Sequence, residues 1–243
     1  MKKNLSAIIF GLAIIIGAYL LANAYMNRNK TDGTISVTGL GNADFTSDLI
    51  VWEGSFSKES INLEQAYSDL EKDKKIITEY LLSKGITKKE LVFNAVTSRK
   101  NMHAKYTSEG KYIGDEFLGY VLTQSLQIDS NDVEKVENIS REITELLNKG
   151  IQFYSQAPRY YYTKLADLKI EMISKATSDA RTRAEMIAEN SGGKLGKLIS
   201  AKMGIFQITG QNSNEDYSWG GTYNTDSKEK TASITMKLDY TVD

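Results

Sequence analysis

The feature that most constrains this chain is an uncharged stretch, residues 4–27, which is rich in Ile, Leu and Ala. Roughly 20 apolar residues in a helix span the hydrocarbon core of a bilayer, and no other stretch of this sequence approaches that length. We therefore predict a membrane segment from Leu5 to Ala24, and residues 1–30 comprise this segment with a short linker. A buried core helix is the alternative, but a helix that is apolar on every face needs a large protein around it.

Basic residues flank this segment on both sides. Lys2 and Lys3 precede it, and short basic flanks tend to stay cytoplasmic, so residues 31–243 are predicted to be extracytoplasmic. The basic residues that follow, Arg28 and Lys30, weaken this orientation without reversing it. The prediction is thus a single-pass signal anchor in the cell membrane. The alternative is a cleaved export signal, because residues 22–24, Ala-Asn-Ala, fit a signal-peptidase site and would release a periplasmic or secreted protein after Ala24.

The charge of the remaining chain argues against nucleic-acid binding. The whole chain has 30 basic and 31 acidic residues. The first 30 residues contain four of the basic residues and none of the acidic ones, so the rest has a net charge of −5. Because affinity for nucleic acid comes mostly from neutralising phosphates, we predict no nucleic-acid partner.

The side chains that most often carry chemistry are scarce. The chain contains no cysteine, which excludes disulfides, thiolate metal sites and a cysteine nucleophile. Its single histidine, His103, lies in a basic and polar stretch and is predicted to be a solvated loop or strand-end residue. We predict no catalytic, cofactor-binding or metal-ligating residues and no cofactor, since the sequence holds no combination of nucleophile, base and stabilising group.

The first part of the body reads as strands. Residues 34–38 alternate polar and apolar side chains, and residues 49–56 form a second strand-like run. Between them, Gly39-Leu40-Gly41 resembles a phosphate-binding loop, but Asp44 stands where a third glycine belongs and no helix follows directly. A bulge or tight bend between two strand segments is the simpler interpretation.

The central part predicts two helices with two strands between them, in the split βαβ order. The first helix begins after the N-cap Asn62, with Gln65 as a capping-box partner, and ends at Gly85. Strands follow at residues 91–97 and 117–128, joined as a hairpin with a long loop, and a second amphipathic helix runs from Val133 to Gly150. Including the strands on either side, the order is βαββαβ, which we interpret as a duplicated βαβ-like unit.

The last part predicts a long third helix, a loop and a terminal strand. Residues 164–191 contain no proline or glycine, and Ala176, Ala180, Ala184 and Ala188 form a stripe of small residues that lets a helix pack closely. Residues 210–230 are polar and predict a mobile loop. Strict alternation at residues 233–242 predicts the clearest strand of the chain. The fold class is therefore α+β.

Three stretches resemble the SIMPL-domain family, also called domain of unknown function 541. The first comprises residues 35–41 and runs on to Asp48, and the second is Phe117-Leu118-Gly119-Tyr120. The third is residues 176–188, which read Ala-Thr-Ser-Asp-Ala-Arg-Thr-Arg-Ala-Glu-Met-Ile-Ala, followed by residues 193–196. With the order of elements, the resemblance covers roughly residues 34–242. It departs from the family at Ser47, where proline is common.

The resemblance implies an exported or membrane-anchored α+β domain of the kind found in bacterial periplasmic and outer-surface antigens. It implies no catalytic residues, and for some members it implies a ring-like or channel-like homo-oligomer and a role in stress tolerance. We therefore expect a cell-envelope protein that is not an enzyme and that self-associates.

Two alternatives differ in how the domain works. Self-association through the edges of the N-terminal and C-terminal strands is the first hypothesis. The second is a ligand- or partner-binding module that uses Tyr217, Trp219 and Tyr223 with the tyrosines near Pro158. Catalysis by the carboxylate pairs Asp115-Glu116 and Glu215-Asp216 is disfavoured, since both lie in polar stretches where solvated surface is the default.

Overall fold

The computed structural model describes the backbone of residues 2–28 and 33–242 and the side chains of residues 10–26 and 33–242. The first element is the helix α1, Lys2–Arg28. Residues 29–30 of the predicted linker, and the side chains of residues 5–9 of the predicted membrane segment, lie outside the described residues. Over the part of the chain that is described, no helix combines the length and apolar character needed to cross a membrane. The membrane anchor therefore stays a prediction.

The described chain divides into two compact units. Unit 1 contains the described residues of Met1–Gly41, Lys175–Gly204 and Thr235–Asp243. Unit 2 contains Asn42–Ser174 and Ile205–Ile234. Both units combine strands and helices, and the predicted α+β class is confirmed.

Four of the described strands form one antiparallel sheet. They are β1 (Thr34–Thr46), β8 (Leu195–Met203), β9 (Gln207–Gly210) and β10 (Glu229–Val242). Their order is β1-β10-β8, and β9 pairs with the first part of β10. The C-terminal strand β10 is therefore an interior strand, and the expectation that it offers a free edge is wrong. Its alternating side chains reflect one buried face of this sheet.

The core of unit 1 lies between this sheet and α4, Leu165–Asn190. The predicted alanine stripe is fully buried at Ala176, Ala180, Ala184 and Ala188. Buried residues on the strands of the same unit are Val37, Met236, Leu238 and Tyr240. Because alanine adds little bulk, the helix axis lies close to the strands.

The other six strands form an antiparallel sheet in unit 2. They are β2 (Leu49–Ser60), β3 (Leu91–Phe93), β4 (Thr97–Tyr106), β5 (Tyr112–Ser130), β6 (Phe153–Ser155) and β7 (Arg159–Tyr161). Their order is β3-β5-β2-β6, with β4 also on β5 and β7 also on β2. Since β2 and β3 both run antiparallel to β5, they are parallel to each other and are separated by β5. This is the split βαβ arrangement.

Two helices cover one face of this sheet, α2 (Leu63–Ser83) and α3 (Val133–Glu142). The shared core includes Trp52 and Phe56 on β2 and Leu126 and Ile128 on β5. The helices contribute apolar residues at helical spacing: Ala66, Leu70, Ile77 and Leu81 from α2, and Val133, Val136 and Ile139 from α3. The predicted N-cap is present, since Asn62 Oδ1 accepts from the backbone N–H groups of Glu64 and Gln65.

Three sequence expectations need correction. First, β1 continues through Gly39 and Gly41 without a break, so these glycines do not mark a bend between strands. Second, the helix that begins at Val133 ends at Glu142 and continues as a 3₁₀ helix, Ile143–Lys149. In a 3₁₀ helix residues three apart share a face, which keeps both Ile143 and Leu146 buried.

The third correction concerns the hairpin of the central part. The strand predicted at residues 91–97 ends at Phe93, and a new strand, β4, begins at Thr97. The polar stretch around His103 is therefore the middle of β4 and not a loop or strand end. Pairing with β5 along its whole length overrides the polar composition of β4.

Candidate interaction surface

The first and third family-like stretches meet in unit 1, where β1 crosses α4. A Cβ atom at Gly39 would overlap the backbone oxygen of Ala176 and the backbone nitrogen of Ala180, and would lie 2.7 Å from the Cβ of Ala180. Only a residue without a side chain permits this approach. Gly39 therefore serves helix–strand packing and not phosphate binding.

A carboxylate also links β1 to α4 at this crossing. Asp179 Oδ2 accepts from the backbone N–H of Leu40 at 2.8 Å and from Arg183 Nε at 2.9 Å. The backbone hydrogen bond from Leu40 and the bond from Arg183 both lower the pKa of Asp179. Asp179 thus joins β1 to α4 as a structural group.

The aspartate that ends the first stretch has a similar role in unit 2. Asp48 Oδ1 accepts from the backbone N–H of Thr163 and Asp48 Oδ2 accepts from its hydroxyl, both at 2.7 Å. Thr163 lies just before the first residue of α4. Asp48 therefore holds the chain at the start of this helix.

The second family-like stretch lies where β5 leaves the sheet. A Cβ atom at Gly119 would lie 2.8 Å from the backbone oxygen of Ser60, the last residue of β2. Pairing between β2 and β5 ends at Ser60 and Tyr120. Beyond this point β5 pairs with β4 alone among the described strands.

The result is a two-stranded arm, residues 101–119, that extends past the rest of the six-stranded sheet. Its strands are six residues long on the β4 side, about 20 Å at the usual rise per residue. Large apolar side chains are exposed along it, with Tyr106 60 % exposed. The others are Met102, Tyr112, Ile113, Phe117 and Leu118.

One face of the arm continues the core-facing side of the sheet. Met102 lies opposite Phe117, and Tyr106 lies opposite Tyr112 with ring centroids 5.9 Å apart. Side chains two apart on β4 share a face, so Lys100, Met102, Ala104 and Tyr106 lie on the side of Ser98, whose opposite residue Leu122 is buried in the core. The register with β5 shifts after Asn101 and again after Lys105. Met102, Tyr106, Tyr112 and Phe117 are therefore exposed on the arm.

An apolar groove adjoins the base of the arm. It has a volume of about 420 Å³ and is lined by Leu63, Tyr67, Val96 and Leu122 with Ser98 and Glu64. Leu63 and Tyr67 are exposed on the first turns of α2, and Ile61 before them is exposed too. We call the groove and the arm, both in unit 2, the arm–groove surface. On β4 the exposed Lys100 lies between Ser98 of the groove and Met102 of the arm.

Charged residues surround this surface unevenly. The arm and its base carry four basic residues, Arg99, Lys100, Lys105 and Lys111, and three acidic ones, Glu109, Asp115 and Glu116. Lys105 pairs with Glu116 at 3.1 Å across the hairpin. On the groove side, Glu64 is part of the lining. Charges of both signs therefore lie on the arm, and one acidic residue, Glu64, lies at the groove.

The aromatic residues of the loop between β9 and β10 are exposed in unit 2. Trp219 is 96 % exposed, and Tyr217 and Tyr223 are exposed as well. Tyr223 forms a hydrogen bond with the backbone of Tyr162. The pKa of Tyr223 is raised by its burial and by Tyr161, and the bond with Tyr162 lowers it. The structure thus brings one loop aromatic to the tyrosines that follow Pro158.

Polar side chains tie the same loop to the sheet, and two of them, Gln207 and Asn224, are buried. Gln207 Oε1 accepts from the backbone N–H groups of Thr222 and Ser218, and Gln207 Nε2 donates to the Ser218 oxygen. Glu215 accepts from the backbone N–H of Gly210 and from Asn224 Nδ2. Mobility of residues 210–230 stays a prediction.

Lys230 is a buried lysine at the end of this loop. It is only 1 % exposed, and its Nζ donates to the backbone oxygen of Tyr160. Burial lowers the pKa of Lys230 to about 8, although Asp226 and Glu215 act in the opposite direction. The sequence pattern did not predict that Lys230 is buried, because its neighbours on β10 are ordinary strand residues.

The residues considered for chemistry from the sequence lie on the arm and in the loop between β9 and β10. His103 is exposed on β4, opposite Glu116. Asp115 forms a hydrogen bond with the Tyr112 hydroxyl, which raises the pKa of Tyr112. Glu215 accepts a hydrogen bond from the backbone N–H of Gly210 in the loop. Within the described residues, no three His, Cys, Asp or Glu side chains are placed to hold a metal ion.

The chain was compared with curated proteins and with protein-family models. No curated protein matches the chain. The family model described as SIMPL, protein of unknown function (DUF541), matches residues 35–242. This range contains all three stretches that resemble the family and every described strand except the first residue of β1. The chain therefore belongs to the SIMPL family.

Proposed function

We propose that this protein is a membrane-tethered, extracytoplasmic domain that acts by self-association and not by catalysis. Residues 4–27 tether it to the membrane, and the arm–groove surface joins its copies. The observation that carries the proposal is the uncovered apolar face of residues 101–119. A two-stranded hairpin is marginally stable in water unless a helix or another sheet covers its apolar face.

The groove of a second copy of the chain can bury the exposed apolar residues of the arm. The groove at the base of the arm is lined almost wholly by apolar atoms of Leu63, Tyr67, Val96 and Leu122. The tip residues Tyr106, Tyr112 and Ile113 are exposed apolar or aromatic side chains. We propose that the arm of one copy packs into the groove of the next.

Pairing of strand edges explains association less well. Of the two strands named for edge pairing, β10 is an interior strand and β1 lies at the edge of the four-stranded sheet. β4 does lie at an edge, but Arg99, Lys100 and Lys105 occupy it, and basic residues on an edge strand oppose pairing with another strand. Side-chain packing of the arm is therefore the better interface.

The self-association is tested with two matched triple variants of the full-length chain. The arm variant carries Tyr106→Ser, Tyr112→Ser and Phe117→Ser, and the loop variant carries Tyr217→Ser, Trp219→Ser and Tyr223→Ser. Light scattering in mild detergent measures the protein mass. We expect the wild type and the loop variant to be multimers and the arm variant to be a monomer. A monomeric wild type, or a multimeric arm variant, contradicts the proposal.

The tether is tested by membrane extraction at alkaline pH followed by N-terminal sequencing. The uncharged stretch and its basic flanks support retention of the chain in the membrane. We expect the chain to stay in the membrane pellet with its N-terminal segment intact. A soluble protein that begins at Tyr25 supports the alternative of cleavage after Ala24.

The alternative function is an envelope module that binds a ligand or partner. The contact between Tyr223 and the tyrosines near Pro158, together with the nearly complete exposure of Trp219, favours it. The loop variant separates the two functions: loss of binding with assembly unchanged supports the module, and loss of assembly makes the loop an interface. A role in stress tolerance remains an expectation at the level of the family.

A further inference from the structure

The edge strand β8 in unit 1 carries an uncovered apolar and basic surface. In the described part of the chain, β8 pairs with β10 on one side only. Leu198, Ile199 and Met203 are exposed on it, with Ile199 55 % exposed. Exposed apolar side chains on both faces of one edge strand are unusual unless something covers them.

All charged residues in the segment that contains β8 are basic. Residues 194–204 contain Lys194, Lys197 and Lys202 and no acidic residue. All three lysines are exposed. The carboxylate that faces this strand is Asp239 on β10, whose pKa is lowered mainly by Ser36 and Ser200 and also by Lys237 and Lys202. A body with a net charge of −5 thus presents one basic edge.

Chain geometry keeps this edge near the end of α1. From Arg28 to Gly33 the chain spans at most about 17 Å, because a fully extended residue covers about 3.5 Å. The backbone N–H of Val242 donates to Gly33, and Val242 lies opposite Leu195, the first residue of β8. Two strand spacings add about 10 Å. β8 therefore begins within about 27 Å of the end of the helix.

We propose that β8 docks on the surface of the membrane that holds α1, with Lys194, Lys197 and Lys202 on anionic lipid headgroups. The inference rests on the proposed membrane tether. Each basic residue near an anionic surface strengthens binding, and aliphatic side chains beside it enter the interface. Leu198 and Ile199 supply these aliphatic side chains. The edge is thereby protected from pairing with other strands.

The test uses the full-length chain, whose lack of cysteine allows a single label at Ile199→Cys. The labelled chain is reconstituted into vesicles of phosphatidylcholine with or without phosphatidylglycerol, and a headgroup-attached quencher reports lipid contact. We expect quenching only with phosphatidylglycerol. It is lost at high salt and in the variant Lys194→Gln, Lys197→Gln, Lys202→Gln. The control, Lys72→Gln, Lys74→Gln, Lys75→Gln on α2, removes equal charge and retains the quenching.

The outcomes separate this inference from the tether. A chain that does not float with the vesicles overturns the tether on which the inference rests. A chain that floats, but whose label is insensitive to lipid charge and to the quencher, overturns the docking of β8 alone. Energy transfer between labelled copies, in place of quenching by lipid, shows that a second copy covers β8 and also overturns the docking.

Discussion

Gly39 shows that a family-like residue can be required by packing. The backbone of α4 lies so close to β1 that a methyl group at this position overlaps Ala176 and Ala180. The sequence alone suggested a bend, because a glycine in a strand more often marks a bulge than a crossing. What decides its role is a neighbour 137 residues away, and no local pattern contains that information.

We predict that Gly39→Ala destabilises the chain by about 2–3 kcal/mol, since the added methyl group forces the helix away from the strand. The measurement is urea denaturation followed by far-UV circular dichroism. The matched control is Gly220→Ala, where the added atom meets only the Ser218 hydroxyl at 3.9 Å. Equal denaturation midpoints for the two variants would show that the crossing tolerates a side chain.

Lys230 predicts an unusual dependence of stability on pH. Its pKa is lowered to about 8 in the folded chain, against about 10.4 in an unfolded one. Between these values the unfolded state binds more protons, so the free energy of unfolding rises with pH, by up to about 1.4 kcal/mol per pH unit. The unfavourable burial of charge is fully present below pH 8.

The variant Lys230→Met removes this titration. We expect the rise in stability between pH 8 and about 9.5 to disappear relative to the wild type, whatever the absolute stability of the variant. Lys237→Met, at an exposed position on the same strand, serves as the control and keeps the rise. Parallel curves for the wild type and Lys230→Met would mean that Lys230 is not buried as a charged group.

At the scale of elements, the helices were predictable and the arm was not. The N-cap Asn62, the spacing of buried residues in α2 and the alanine stripe of α4 are local signals, and each helix formed where they stand. β4 was missed because its polar and basic residues resemble a loop. Its strand conformation comes from pairing with β5, and its apolar side chains, Met102 and Tyr106, are few.

We predict that Asn62→Ala lowers the stability of the chain by about 1 kcal/mol through loss of the cap of α2. Asn62→Asp keeps an acceptor for the N–H groups of Glu64 and Gln65 and is expected to remain close to the wild type. Urea denaturation measures both. Gln65 does not complete the capping box, since its Nε2 donates to Asp69. A loss of equal size in the two variants would remove the cap as the cause.

At the scale of the whole chain, the α+β class and the interleaved βαβ order followed from the succession of elements. The choice of interior and edge strands did not, because the order of strands in a sheet depends on pairings between distant segments. β10 has the strongest alternation in the sequence and is an interior strand. The groove likewise could not be predicted, because it forms only where Val96 and Ser98 lie beside Leu63 and Tyr67 of α2.

Crosslinking measures whether the arm of one copy packs into the groove of another. Two full-length variants, Tyr112→Cys on the arm and Leu63→Cys at the groove, are mixed in detergent and treated with a short bis-maleimide. We expect a covalent dimer in the mixture, in greater yield than with either variant alone or with Lys75→Cys in place of Leu63→Cys. Crosslinking that is absent, or equal for Lys75→Cys, would contradict it.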